Sequence, residues 1–245
     1  MKKLLLALLV AFTITSFAQE TFVTNGSKNT NHNYYAFKNA TIFKDYQTQI
    51  NKGVLLIKDG KIIEVGEEGK VKIPANTVVY DLDGKYIYPS LIDIYSDYGI
   101  PKVERSKDRN YGPQFNSKKK GAYNWNQAVH PEVNAGLLFS ADKKKAKEMR
   151  NLGFGVVLSH QKDGIIRGTS TLVTLSDNLG NQVMLNEKVA NHFSFSKGTS
   201  TQDYPGSLMG SIALIRQTYY DVDWYFNNKN LPEYNISLAT MVENW

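Results

Sequence analysis

The chain contains four histidines, His32, His130, His160 and His192, and no cysteine. The missing thiols exclude disulfides, cysteine-ligated metal and a lipid-modified amino-terminal cysteine. His160 closes the run Gly155-Val156-Val157-Leu158-Ser159, which reads as a strand. An imidazole at the carboxyl end of such a strand stands where α/β barrels gather functional groups, so His160 is a candidate substrate contact. Arg167, in Asp163-Gly164-Ile165-Ile166-Arg167-Gly168, is the second candidate. A guanidinium can hold an anionic substrate group through paired N–H donors, although a surface salt bridge is the simpler reading. His130 before Pro131 and His192 in Asn191-His192-Phe193 read as hydrogen-bonded structural histidines, and His32 as a solvated loop residue. There is no phosphate-binding loop, no dinucleotide fingerprint, no Gly-Xaa-Ser-Xaa-Gly and no His-Glu-Xaa-Xaa-His.

The elements that must position these groups fall into two kinds. Residues 34–88 read as a small all-β unit. Val54-Leu55-Leu56-Ile57 and Ile62-Ile63-Glu64-Val65 flank Asp59-Gly60, and Thr77-Val78-Val79-Tyr80-Asp81-Leu82 precedes Asp83-Gly84. Asp-Gly supplies the positive φ angles of tight hairpin turns, and strands at this spacing predict a β-sandwich or meander. After Pro89 the pattern changes. Leu91-Ile92-Asp93-Ile94-Tyr95 predicts a strand, residues 100–139 a long loop, and residues 141–152 a helix with Asp142 near its start and Gly153 after its end. A further strand is expected over 155–160, and one or two more over 165–176, with Gly168 between them. Pro205 opens another helix, on which Leu208, Ile212, Ile215 and Tyr219 share one face at helical spacing. Strand–helix–strand units of this kind predict an α/β domain over residues 89–245.

The start of the chain reads as an export signal. Met1-Lys2-Lys3 is followed by a mostly apolar run to Phe17, and Ser16-Phe17-Ala18 places small residues before a cleavage point at Gln19. Residues 1–18 are therefore expected to be a signal peptide and residues 19–33 a flexible leader. The mature protein would be periplasmic or extracellular, with no transmembrane segment after cleavage. The formal charge is +6, too mild to imply nucleic acid. The runs Lys118-Lys119-Lys120 and Lys143-Lys144-Lys145 read as solvated faces.

One ordered set of motifs is more specific. Gly60-Lys61-Ile62-Ile63-Glu64-Val65-Gly66 is followed by Ile73-Pro74-Ala75. Val79-Tyr80-Asp81-Leu82-Asp83-Gly84-Lys85 comes next, and then Tyr88-Pro89-Ser90-Leu91-Ile92-Asp93. This series resembles the amidohydrolase superfamily of metal-dependent hydrolases, in its imidazolonepropionase-like branch. The resemblance implies a small β-sandwich followed by a TIM-type barrel with a metal site at the carboxyl ends of the barrel strands. It also implies a divalent metal such as zinc in active members, and hydrolysis of non-peptide carbon–nitrogen bonds in small molecules. In the family pattern two histidines, one residue apart, follow the motif at Pro89. Here those positions hold Tyr95 and Asp97. A phenol ionising near ~10 and one carboxylate fall short of the three protein ligands of a catalytic zinc site, so no metal is expected in this chain.

Residues 89–245 are also fewer than the roughly 200–250 of a whole barrel. The expectation is therefore the amino-terminal part of a longer polypeptide: a β-sandwich and the first units of an incomplete barrel, inactive alone and completed by the remainder of the barrel. The alternative is a degenerate domain that binds a ligand or partner without catalysis.

Overall fold

The computed structural model describes residues 33–105, 113–117, 119, 121, 123–178, 180–228 and 233–243. The signal-type segment, nearly all of the leader, His32, Lys118 and Lys120 lie outside the described residues.

The all-β reading of the first unit holds. Its strands are β1 (Tyr34–Phe43), β2 (Gln49–Lys58), β3 (Lys61–Glu67), β4 (Val78–Asp81) and β5 (Tyr86–Ile87). Both Asp-Gly pairs turn the chain as expected, with φ of 50° and 72° at Asp59 and Gly60 and of 49° and 75° at Asp83 and Gly84. Between the antiparallel β2 and β3 this matches the twist of a tight hairpin, whereas Asp83-Gly84 closes a turn from the Lys85 amide to the Leu82 carbonyl between two strands that both run parallel to β1. Among the described residues these strands form one mixed sheet, ordered β3-β2-β1-β4 with β5 also on β1, where two facing layers had been expected. Ala36, Val54, Leu56 and Val71 make its buried cluster.

The second unit opens with β6 (Leu91–Ser96). Then come α1 (Ala135–Leu138), α2 (Lys143–Asn151) and β7 (Phe154–Ser159). Helix α2 starts where the sequence places it, because Asp142 accepts hydrogen bonds from the Lys144 and Lys145 amides at 2.9 and 3.1 Å. These satisfy two of the four free N–H groups of the first turn. Gly153, at φ 95°, turns the chain out of the helix into β7. Strands β6 and β7 are parallel, with Ser96 beside Ser159, which gives the expected strand–helix–strand unit.

The next strands, β8 (Ile166–Thr169) and β9 (Thr171–Thr174), depart from a parallel series. β9 runs antiparallel to β7. It also pairs with β10 (Met184–Asn186), which follows the short α3 (Gly180–Val183). β8 leaves that sheet and pairs with β11 (Asn191–Phe193).

Helix α4 (Leu208–Asn227) packs against α5 (Ile236–Glu243). The buried face of α4 is Ser211, Leu214, Thr218 and Val222, one position away from the expected apolar stripe. Leu208 and Ile212 are exposed, while Ile215 and Tyr219 flank the core. The two hydroxyls can be buried because each donates to a carbonyl one turn back, Ser211 to Ser207 and Thr218 to Leu214. Leu214 and Val222 join Ala128, Val129, Ile165, Ile166, Leu238 and Met241 in one core.

The segment expected to be a loop over 100–139 is therefore partly interior. Gln202, wholly buried, fastens it by donating to the carbonyls of Phe115 and Trp125 and accepting from the Gln127 amide.

Candidate functional site

Parallel pairing brings the ends of β6 and β7 level, and the His160 amide donates to the Ser96 carbonyl at 3.0 Å. Tyr95 and Asp97 therefore stand beside His160 and Lys162. The β8–β11 pair adds Arg167 and His192. The His160 and His192 rings lie stacked, 3.8 Å between centroids and 9° from parallel. The Tyr95 ring is tilted against His160 at 4.9 Å. His160 is 0 % exposed, and among the described residues neither of its ring nitrogens has a hydrogen-bond partner; the same holds for Nε2 of His192. Burial first, and then the neighbouring His192, Arg167 and Lys162, push the His160 pKa down to about 3. Burial and Arg167 lower that of His192. Both rings are thus neutral at physiological pH.

Arg167 is not at the surface, as a simple salt bridge would require, but 5 % exposed. Its Nε donates to the Gly164 carbonyl and its Nη1 to the Tyr95 hydroxyl, both at 3.0 Å. No carboxylate among the described residues pairs with it. Lys162 Nζ sits over the Tyr95 ring at 4.4 Å and 3.9 Å from Asp97 Oδ1, which also meets Lys145 Nζ at 3.8 Å. Beside Lys162 opens a cavity of about 250 Å³, lined by Asp97, Lys102, Lys162, Asp163 and Thr199 among others. Asp163 is already engaged, accepting from the Thr199 amide and hydroxyl.

Of the sequence candidates, His160, Arg167 and Tyr95 meet directly, and Asp97 stands at their edge. His130 lies apart, with Nδ1 3.3 Å from Glu132. Lys162, which the sequence reading did not single out, belongs to the site, and so does His192, which the sequence reads as a hydrogen-bonded structural histidine but which here stacks on His160. Lys162 follows His160 by two residues, and that spacing was an available signal. For His192, only the β8–β11 pairing brings it here.

No family model matches the chain, and no curated protein matches it. Among solved structures, an amidohydrolase from Thermotoga maritima superposes with a TM-score of 0.61 at 20% identity, over 84% of this chain and 54% of that one. Over most of its length the chain shares the fold of that solved structure. Another amidohydrolase matches at 32% identity over 25% of this chain and 15% of its own, with a TM-score of 0.23. A molinate hydrolase matches at 23% over 26% and 14%, with a TM-score of 0.24. This chain spans about half the length of the T. maritima protein.

The divalent ion that the resemblance implies does not suit the residues at Tyr95 and Asp97. The Tyr95 oxygen already accepts from a buried guanidinium, and Asp97 lies within 4 Å of two ammonium groups. A dication placed between Tyr95 and Asp97 would face three cations at short range in a partly desolvated site, where Coulomb repulsion is poorly screened. Among the described residues, no group of three or more His, Cys, Asp or Glu could hold an ion.

Proposed function

We propose that this chain is the amino-terminal part of an exported amidohydrolase-like protein whose first metal-ligand pair is replaced by Tyr95 and Asp97, engaged by Arg167 and two lysines beside a pocket lined by both lysines and aspartates. In this reading the pocket binds a small molecule and performs no metal-dependent hydrolysis of its own. The observation that carries the reading is the 3.0 Å hydrogen bond from Arg167 Nη1 to the Tyr95 hydroxyl. It puts a fixed positive charge at the position where the family pattern needs a cation-binding histidine. A permanently charged guanidinium cannot vacate the site by losing a proton, so the exchange is electrostatic as well as a loss of ligands.

The test is the metal content of the purified protein after dialysis. Zinc well below one equivalent is expected, and the same for Asp97→Ala. Near-equimolar zinc that disappears in Asp97→Ala would overturn the reading. Intact mass of the exported protein should begin at Gln19.

A second reading is favoured by the fold match, which leaves nearly half of the T. maritima chain without a counterpart here. In it, a longer parent protein hydrolyses non-peptide carbon–nitrogen bonds such as those of cyclic amides. The remainder of the barrel would supply the metal ligands, and this half would shape the substrate pocket. Zinc-dependent hydrolysis of a cyclic amide by the full reading frame, and none by residues 19–245, is the result that would select it.

A further inference from the structure

We infer that the cleft between the end of α4 and α5 binds the quaternary ammonium group of a small molecule. The site shares no residue with the pocket beside Lys162 and goes beyond both readings of Tyr95 and Asp97. Its shape is the first argument. A cavity of about 450 Å³ opens there, an ordinary size for a small-molecule site. Tyr225, Phe226 and Asn228 line it from the end of α4, Glu233 and Tyr234 from the chain before α5, and Glu243 from the last turn of α5. A second cavity of about 340 Å³ shares Phe226 and Val242 with the first and adds Asp223. Tyr225 is anchored, because its ring packs on the core of Leu214 and Val222 and its hydroxyl accepts from the Asn235 amide at 3.3 Å. Phe226 and Tyr234 are 65 and 74 % exposed. Among the described residues, none of the three rings is covered by a lysine or arginine of the protein.

Charge is the second argument. The chain carries a formal charge of +6, yet the charged residues lining the two cavities are all acidic: Asp223, Glu233 and Glu243. Among the described residues, no ammonium or guanidinium lies within 4 Å of any of these carboxylates. Aromatic faces carry negative potential and attract cations, most of all where water is displaced. The rest of the lining decides which cation fits. A divalent ion needs a shell of about six oxygens, and a primary ammonium needs an acceptor for each of its N–H groups. Here one side-chain amide, Asn228, accompanies the carboxylates, and Ala239 and Val242 are apolar. A quaternary ammonium has no N–H to satisfy. Its charge is spread over methyl groups that pack against rings and aliphatic side chains.

The experiment titrates the whole chain with choline at constant ionic strength, followed by calorimetry and by broadening of the choline methyl NMR signal. Ethanolamine serves as the primary ammonium, and dimethylbutanol as the uncharged analogue with carbon in place of nitrogen. Choline should bind saturably, and both analogues at least ~10-fold more weakly. Magnesium should not displace it. Phe226→Leu should weaken choline at least ~5-fold at an unchanged melting temperature, and Phe226→Tyr should keep it. Glu233→Gln combined with Glu243→Gln should weaken choline several-fold and leave dimethylbutanol unchanged. Dimethylbutanol binding as tightly as choline would make the cleft an apolar groove only. Magnesium displacing choline would make it an acidic ion site. Either result overturns the proposal, as does choline that fails to bind or binds Phe226→Leu equally well.

Discussion

Lowering the pH from 7 to 5 should destabilise this protein through His160. In the unfolded chain its imidazole titrates near the ordinary 6.5, whereas in the folded protein burial and neighbouring cations hold it down at about 3. Between those values the unfolded state binds more protons, so stability rises with pH. The contribution is fully present above the unfolded pKa and is lost as pH falls from about 6.5 toward 3. At pH 5 the unfolded imidazole lies about 1.5 units past its midpoint, and at 1.36 kcal/mol per unit the loss is about 2 kcal/mol. His192, lowered for the same reasons, acts in the same direction. With a urea m-value of about 2 kcal/mol/M, the denaturation midpoint should drop by about 1 M from this residue alone. His160→Phe isolates it. An aromatic ring is kept for the stack on His192 and the contact with Tyr95, and among the described residues no hydrogen bond of the imidazole nitrogens is lost. Urea denaturation of both proteins at pH 7 and pH 5 should show a midpoint drop that is smaller by about 1 M in the variant. Equal drops in the two proteins would refute the argument that His160 is buried neutral.

Gly168→Ala should cost at least ~2 kcal/mol, because the residue sits at φ 77° and a new Cβ would strike the Val133 carbonyl oxygen; a urea midpoint that stays within experimental error would contradict the geometry. Asp142→Ala should cost about 1 kcal/mol by freeing the Lys144 and Lys145 amides, while Asp142→Asn should recover most of that. Thermal melting of the three proteins side by side checks the ranking.

Local rules made several elements readable from the sequence. Asp59-Gly60 and Asp83-Gly84 announced turns because few residues tolerate positive φ. Asp142 and Gly153 bracketed α2 because capping is chemistry between near neighbours. The misreadings came from long-range packing. The stripe Leu208, Ile212, Ile215 and Tyr219 is the more apolar face of α4, yet the core takes the adjacent face with Ser211 and Thr218. Back-bonded hydroxyls are cheap to bury and small enough for close approach, and no hydropathy scale records this. Strands β10 and β11, of three residues each, are too short to show a period and exist through pairing with β9 and β8. The site was half legible. His160 and Tyr95 were visible from strand ends and the family pattern. The burial of Arg167 and the stacking of His192 depend on segments that only the folded chain brings together.

Among the described residues β6 is the last strand of its sheet, and Leu91, Ile92 and Ile94 along it are 55, 60 and 72 % exposed. Such an edge offers a row of peptide groups framed by oily side chains, with no lysine, proline or second bulged strand to blunt it. In a crowded compartment it is a seed for strand addition between molecules, and its growth would depend steeply on concentration. A single Ile94→Lys exchange is the smallest change that would blunt that edge against such addition.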